Sequence, residues 1–240
     1  VRDKNRTYFD LIESLGQPDC AVCRIVNQAV RQHVDIFLYE QITVVERRAE
    51  IRAARGFCSI HGAMLISGHG RVLGAATLQH DILNDVLRQM DRALAAPAAL
   101  ARRSLPFGLR GMVKAVVQAV RPRRICPLCE YERRQEGVVL RALVNEINDP
   151  AMRAAFERSA GLCLPHFQMA TGMHDLPAGL RLRLAELEQP ILAKLKAELA
   201  EYLHKRNASY ETAPMGEEAD APLRATRLVS GRVVHSDGRA

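Results

Sequence analysis

Two kinds of close residue pair, each occurring twice in the same order, constrain this chain more than any other feature. Cys20-x2-Cys23 recurs as Cys126-x2-Cys129, 106 residues later. Gly56-Phe57-Cys58-Ser59-Ile60-His61 recurs as Gly161-Leu162-Cys163-Leu164-Pro165-His166, 105 residues later. Repetition at a fixed period is the mark of an internal duplication. The cysteines come in pairs with metal-ligand spacing, so metal binding is the leading reading of them.

The apolar pattern repeats with the pairs. Val26, Val30, Val34 and Phe37 step by four, four and three along one helical face. Thr43-x-x-Glu46 then reads as a capping box for a second helix. Asp149 stands 106 residues after Thr43 and is followed by Pro150, an N-cap residue and a proline at the first helical position. On these signals the one-residue slip in offset falls inside the second helix of each copy. A third, long helix follows each Cys-x2-His. Its stripe is Leu78, Ile82, Val86, Met90 and Leu94 in the first copy, and Leu184, Leu187, Ile191, Leu195 and Leu199 in the second.

The predicted fold is therefore all-α: two tandem helical repeats of about three helices each, each clasped by a metal site of three cysteines and one histidine. The expected boundaries are residues 1–95 for the first repeat, 96–124 for a basic connector, 125–206 for the second repeat and 207–240 for a disordered tail. A short amphipathic helix over Leu109–Val120 is expected within the connector. The fragment from Leu228 to Val234 is expected to stay unpaired.

Zinc in a structural site takes four tetrahedral sulfur or nitrogen ligands. A Cys-x2-Cys turn supplies two. Two helices of about 15 residues, rising roughly 22 Å out and back, would return the other two. Cys58 and His61 would then meet Cys20 and Cys23, and Cys163 and His166 would meet Cys126 and Cys129. Two zinc ions per chain are expected, each closing a helical hairpin, with helix N-termini favouring the thiolate form. An iron–sulfur cluster is the competing cofactor. A thioredoxin-like redox motif would need a βαβ setting that this pattern lacks. Four protein ligands leave no open position at the metal, which speaks against catalysis there. His69 and His174, eight residues beyond each histidine ligand, are read as polar residues of the connections, with roles as substitute ligands or as groups hydrogen-bonded to a ligand as the alternative. His33, His80 and His204 are read as exposed helix positions.

The net charge of +7 is uneven. Between Asp91 and Glu130 there is no acidic residue, while Arg92, Arg102, Arg103, Arg110, Lys114, Arg121, Arg123 and Arg124 all fall there. No apolar run reaches the roughly 20 residues that span a membrane. The charged start, Val1 to Arg6, precedes no signal-like apolar block, and a cytoplasmic location is expected.

On the residues Cys20, Cys23, Gly56 to His61, Cys126-Pro127-Leu128-Cys129 and Gly161 to His166, the chain resembles an uncharacterised bacterial family, a domain of unknown function of similar length. The resemblance covers about residues 8–206 and supports the architecture. The His204-Lys205-Arg206-Asn207 stretch matches the family's basic and aromatic ending only loosely, and nothing is carried over from it.

The first functional reading is a non-enzymatic, zinc-stabilised helical module that binds another macromolecule, a protein first. The second is nucleic-acid binding or regulation through the basic connector, favoured by a pI near 9.3 and weakened by only 5% aromatic residues. The third is redox or metal sensing by the thiolates. An enzyme with a pocket between the repeats, lined by groups such as His69 and His174, is the fourth.

Overall fold

The first copy's apolar stripe buries as its spacing requires. Val26, Val30 and Val34 are at most 2% exposed and Phe37 is 7% exposed. They stand on a helix that continues, at its C-terminal end, as a π turn over Phe37–Gln41. The computed structural model describes residues 4–67, 71–95, 105–207 and 214–231. Its α-helices are α1 (Arg6–Leu15), α2 (Ala21–Ile36), α3 (Val45–Ala53), α4 (Ser59–Ile66), α5 (Val72–Ala95), α6 (Leu105–Val120), α7 (Pro127–Glu146), α8 (Pro150–Glu157), α9 (Leu164–Thr171), α10 (Ala178–Lys205) and α11 (Ala221–Ser230). No strand occurs among the described residues.

The three helices expected in each copy are present, and two more accompany them. One precedes each Cys-x2-Cys (α1 and α6), and a two-turn helix carries each Cys-x2-His (α4 and α9). The bounds of α4 and α9 differ by 105 at both ends.

Asp149 caps α8 as expected, its carboxylate accepting from the Ala151 and Met152 amides, with Pro150 in the first turn. The capping box at Thr43 and Glu46 does not form. Helix α3 begins at Val45, with Val44 as its N-cap and no side-chain cap bond. Val44 matches Asp149 at an offset of 105, so the extra residue lies upstream of this helix and not within it. The first helix of copy one has 16 residues plus the five-residue π turn, against 20 in α7. A π turn closes over five residues instead of four. It absorbs the insertion.

The packing clusters into two units whose limits differ from the consecutive boundaries expected. Among the described residues, the first unit joins the chain up to Ala29 to the chain from Arg133 to Gly231; the second covers Val30–Glu132. The limits fall inside α2 and α7. In the first unit, Leu11, Leu15, Leu140, Leu143, Ile147, Met152, Phe156, Leu162 and Leu184 are fully buried. Lys4 Nζ and Tyr8 Oη donate to the Asp149 carboxylate at 2.6 Å each, fastening α1 to the start of α8. Those two bonds, Lys4 first, hold the Asp149 carboxyl well below the usual range.

In the second unit, Val34, Leu65, Ala75, Cys126 and Leu128 form one core cluster, and Phe37, Ile51, Leu78 and Ile82 another. Arg48 and Arg52 both reach Asp81 (3.1 and 2.7 Å), stitching α3 to α5. Arg55 pairs with Asp85 at 2.6 Å and donates to the Ala119 carbonyl of α6. The basic connector is thus more than a linker: α6 packs along α5 and starts four residues before the expected Leu109. Its partner helix ends differently from the predicted stripe, with Leu94 52% exposed and Ala93 buried.

The tail is corrected over residues 217–230. A 3-10 turn over Glu217–Asp220 leads into α11, which packs on α9 and α10. Asp220 at the N-cap and Pro222 in the first turn start the helix. Leu228 belongs to it, while residues 232–234 lie outside the described residues.

Candidate metal centres

All eight residues predicted as ligands come together in two groups of four that could each hold a metal ion. Cys20, Cys23, Cys163 and His166 form one, and Cys58, His61, Cys126 and Cys129 the other, with the ligand atoms of each group within 4.8 Å of one another. The partnering is the reverse of the expected one. Each group takes the Cys-x2-Cys of one copy and the Cys-x2-His of the other, and each lies within a single unit.

Helix lengths explain the exchange. The outward helix of copy one, with its π turn, rises about 31 Å, whereas the nine-residue α3 brings the chain back by only about 13 Å. In copy two the 20 residues of α7 rise about 30 Å and the eight of α8 return about 12 Å. A hairpin of equal arms would have closed on its own start. These arms are too unequal, so each Cys-x2-His meets the Cys-x2-Cys of the other copy.

Local structure aims each pair. Cys58 and Cys163 are the N-caps of α4 and α9, and Cys20 and Cys126 immediately precede α2 and α7, their carbonyls accepting from the amides of Arg24 and Glu130. The x2 spacing then puts Cys23, His61, Cys129 and His166 at the third helical position. N-cap and third-position side chains meet at the same helix end, as they do in a capping box. Each centre is therefore built from two helix N-termini, whose partial positive charge favours thiolates. Left-handed glycines lead into both Cys-x2-His turns: Gly56 at φ 94° and Gly161 at φ 74°.

The sulfurs of Cys23 and Cys163 are 3.7 Å apart, as are those of Cys129 and Cys58. His166 Nδ1 lies 3.5, 3.4 and 3.1 Å from the sulfurs of Cys20, Cys23 and Cys163. His61 Nδ1 lies 3.3, 3.6 and 3.4 Å from those of Cys58, Cys126 and Cys129. On the far side of the His166 ring, Nε2 hydrogen-bonds the Glu136 carboxylate at 3.3 Å, whereas His61 Nε2 lies 3.4 Å from Glu132 without hydrogen-bond geometry. A ligating histidine characteristically gives its second ring nitrogen to such a group, which fixes the tautomer and orients the ring.

Considered as free side chains, the ligands share protons tightly. Burial alone would lower the His166 pKa, but hydrogen bonds with Cys163, Cys20 and Glu136 outweigh it and push it up to about 12. For His61, burial is outweighed by Cys126 and Glu132, and the pKa rises to about 10. Burial opposes the Cys126 thiolate, yet the bond to His61 carries its pKa down to about 6. Burial and the Cys126 charge raise Cys129 to about 12. Hydrogen bonds with Cys163 and Cys23 bring Cys20 well below an ordinary thiol, while bonds with Cys163 and Cys20 raise Cys23. An ion entering such a set displaces those protons, so its affinity rises with pH.

The centres are not equivalent. Cys20, Cys163 and His166 are buried in the first, whereas Cys58 and Cys129 are half-buried in the second. The first has a further carboxyl, Glu188 on α10, which is fully buried and accepts from the Leu162 amide at 3.0 and 3.2 Å. Burial raises its pKa to about 7. The position 105 residues earlier is Leu83. Sequence reasoning missed Glu132, Glu136 and Glu188. A histidine ligand calls for a carboxylate, but nothing local tells which of 27 acidic residues supplies it.

His174 is exposed, and His69 lies outside the described residues. His80 and His204 are exposed as expected. His33 is half-buried and stacks on the Tyr131 ring at 4.1 Å.

A family model described as "Family of unknown function (DUF6062)" matches residues 11–236, a span that holds all eight candidate ligands. The chain belongs to this family. A relative, described as an uncharacterised 23.9 kDa protein in the xynA 3' region of Caldicellulosiruptor sp. (strain Rt8B.4), is 26% identical over 182 residues, covering 75% of this chain and 79% of that protein. No solved structure matches the chain. Among the described residues, no helix is long and apolar enough to cross a membrane.

Proposed function

We propose that each group holds one zinc ion and that the protein is a non-enzymatic, zinc-stabilised helical module that docks a protein partner. The observation that carries this reading is the size of the two cages. Zinc–sulfur bonds of about 2.3 Å and zinc–nitrogen bonds of about 2.0 Å require tetrahedral edges of about 3.8 Å between sulfurs and about 3.5 Å between sulfur and nitrogen. The 3.7 Å sulfur separations and the 3.1–3.6 Å sulfur–nitrogen separations fit those edges. An iron–sulfur cluster would spread its ligands over two or more irons, farther apart than the edges of one tetrahedron. Four protein ligands also complete the usual coordination of structural zinc, leaving the ion to act through folding energy.

Docking is supported by apolar side chains of the second unit that stay in solvent. Leu83 and Leu87 on α5 are 60% and 55% exposed, and Val113 and Val117 on α6 are 58% and 51% exposed. Each pair is one helical turn apart, and apolar groups clustered in this way mark interaction surfaces.

Elemental analysis with an absorption spectrum, on protein purified without oxygen or a metal-affinity tag, tests the first half. About two zinc per chain and a colourless solution are expected; iron with visible absorption overturns it. A photo-crosslinking residue at Leu87 tests the second half. A protein adduct in cells that disappears with Leu83→Glu is expected, and absence of any adduct overturns docking on this face.

A further inference from the structure

Beside the second centre, the chain from Arg121 to Cys126 forms one wall of an open groove of about 580 Å³. That volume lies within the roughly 300–1,000 Å³ usual for ligand sites. Four arginines line it: Arg55, Arg121, Arg123 and Arg124. Cys58 and Cys126 also line it, and none of its lining residues is acidic. The wall is held in place, since the Arg123 amide donates to the Ala53 carbonyl at 2.7 Å and Cys126 is fixed at the start of α7.

The charges decide what the groove suits. Arg55 is neutralised by Asp85 at 2.6 Å. Arg124 has Glu130 and Glu50 only at 3.7 and 4.0 Å. Arg123 spends its guanidinium on the neutral Gln89, whose Oε1 accepts at 2.8 Å. Arg121 has no side-chain partner among the described residues. Arg121 and Arg123 are both exposed and neither meets a carboxylate. A divalent ion with three thiolates and a neutral histidine would carry a single negative charge, which leaves the groove positive.

We propose that this groove binds phosphate groups, with Arg121 and Arg123 as the principal contacts and Arg124 as the third. Guanidinium forks match phosphate oxygens in pairs, and a groove open to solvent admits either a free nucleotide or a length of single strand. The proposal goes beyond the docking role and does not depend on which ion the centre holds.

The test uses the full, metal-loaded chain. Binding of a labelled 12-nucleotide single strand is followed by anisotropy across a salt series, with pyrophosphate and a mononucleoside diphosphate as competitors. Arg121→Gln/Arg123→Gln should weaken strand binding at least tenfold. It should also lower the slope of log affinity against log salt by about 1.4, at roughly 0.7 per lost phosphate contact. Metal content and Tm should not change. A control, Arg158→Gln/Lys196→Gln, removes the same charge from exposed positions of the first unit. Equal losses in the two double variants would overturn the proposal, as would no binding of any phosphate ligand by the native chain. Competition by millimolar pyrophosphate and diphosphate assigns the groove to free phosphates. Strand binding that resists both competitors but is lost in Arg121→Gln/Arg123→Gln assigns it to a nucleic-acid backbone.

Discussion

The sulfurs of Cys23 and Cys163 lie 3.7 Å apart although 140 residues separate them in the chain. Cys23 belongs to the Cys-x2-Cys of the first copy and Cys163 to the Cys-x2-His of the second. The same exchange, run the other way, brings Cys129 to Cys58. Neither copy completes a centre from its own residues. Closing either loop through a metal would therefore constrain a long stretch of chain, and an ion held there would organise a whole unit.

Double substitutions separate exchanged from within-copy partnering. Cys23→Ser/Cys163→Ser removes two ligands of one centre and should cost about one metal per chain. Cys23→Ser/Cys58→Ser damages both and should cost two. Metal counts by mass spectrometry should follow that order, and the opposite order would restore the within-copy hairpins. On the proposed function, each lost centre should also lower stability by several kcal/mol, because the free energy of binding the ion would be folding free energy.

The carboxylates behind the histidines give a second expectation. Glu136→Gln leaves all four ligands of the first centre but withdraws the anion 3.3 Å from His166 Nε2. Metal affinity, measured by chelator competition, should fall roughly 10- to 100-fold. Glu132→Gln should have a smaller effect at the second centre, because Glu132 lies 3.4 Å from His61 Nε2 without hydrogen-bond geometry. In saturating metal both variants should melt close to the native chain. A Tm that stayed depressed there would show a packing role instead.

The sequence made the candidate ligands legible because their spacing is a local property. N-cap and third-position residues converge at one helix end whatever the rest of the chain does, so Cys20 with Cys23 and Cys163 with His166 could each be recognised as a pair. Which pair meets which is a long-range matter. Both Cys-x2-His turns offer the same chemistry, and only the lengths of α3 and α8 against α2 and α7 decide between them. Those lengths hang on helix ends, the part of a sequence that speaks least clearly. Thr43 looked like a cap and Val44 is one, because the π turn at Phe37–Gln41 shifts the register. The stripe at Val26, Val30, Val34 and Phe37 and the cap at Asp149 were legible, being repeated apolar spacing and a strong local signal. Helix α11 was hidden by the polar composition of the stretch around it, although Asp220 and Pro222 mark its start.

The glycines before the two Cys-x2-His turns should respond unequally to alanine. At Gly161 a Cβ would lie 2.6 Å from Glu188 Oε1, on a backbone at φ 74°. At Gly56 the nearest atom would be Ile82 Cδ1 at 3.4 Å, at φ 94°. Backbone strain alone costs about 1 kcal/mol. Gly161→Ala adds the displacement of a buried carboxyl from the Leu162 amide and should cost about 3 kcal/mol in all. Chemical denaturation of the metal-loaded variants checks the order, and equal losses would remove Glu188 from the support of the first centre.

The docking of α11 should weaken in acid. Glu218, 3% exposed, accepts from the Gly216 amide and from Lys205 Nζ, each at 2.8 Å. These bonds, the Gly216 amide first, hold its pKa down at about 2 against an ordinary 4.5. A depressed carboxyl contributes stability that is fully present above the unfolded value and lost as pH falls toward the folded one. The native chain should therefore protect the α11 amides better than Glu218→Gln at neutral pH. The difference should hold down to about pH 4.5 and shrink progressively toward pH 2. Acid also releases metal from cysteine and histidine ligands, so the two chains are compared only over the pH range in which both keep their metal content. Hydrogen exchange of the helix across this range is the measurement. A gap between the two chains that stayed constant with pH would mean that Glu218 holds the helix by its shape and not by its charge.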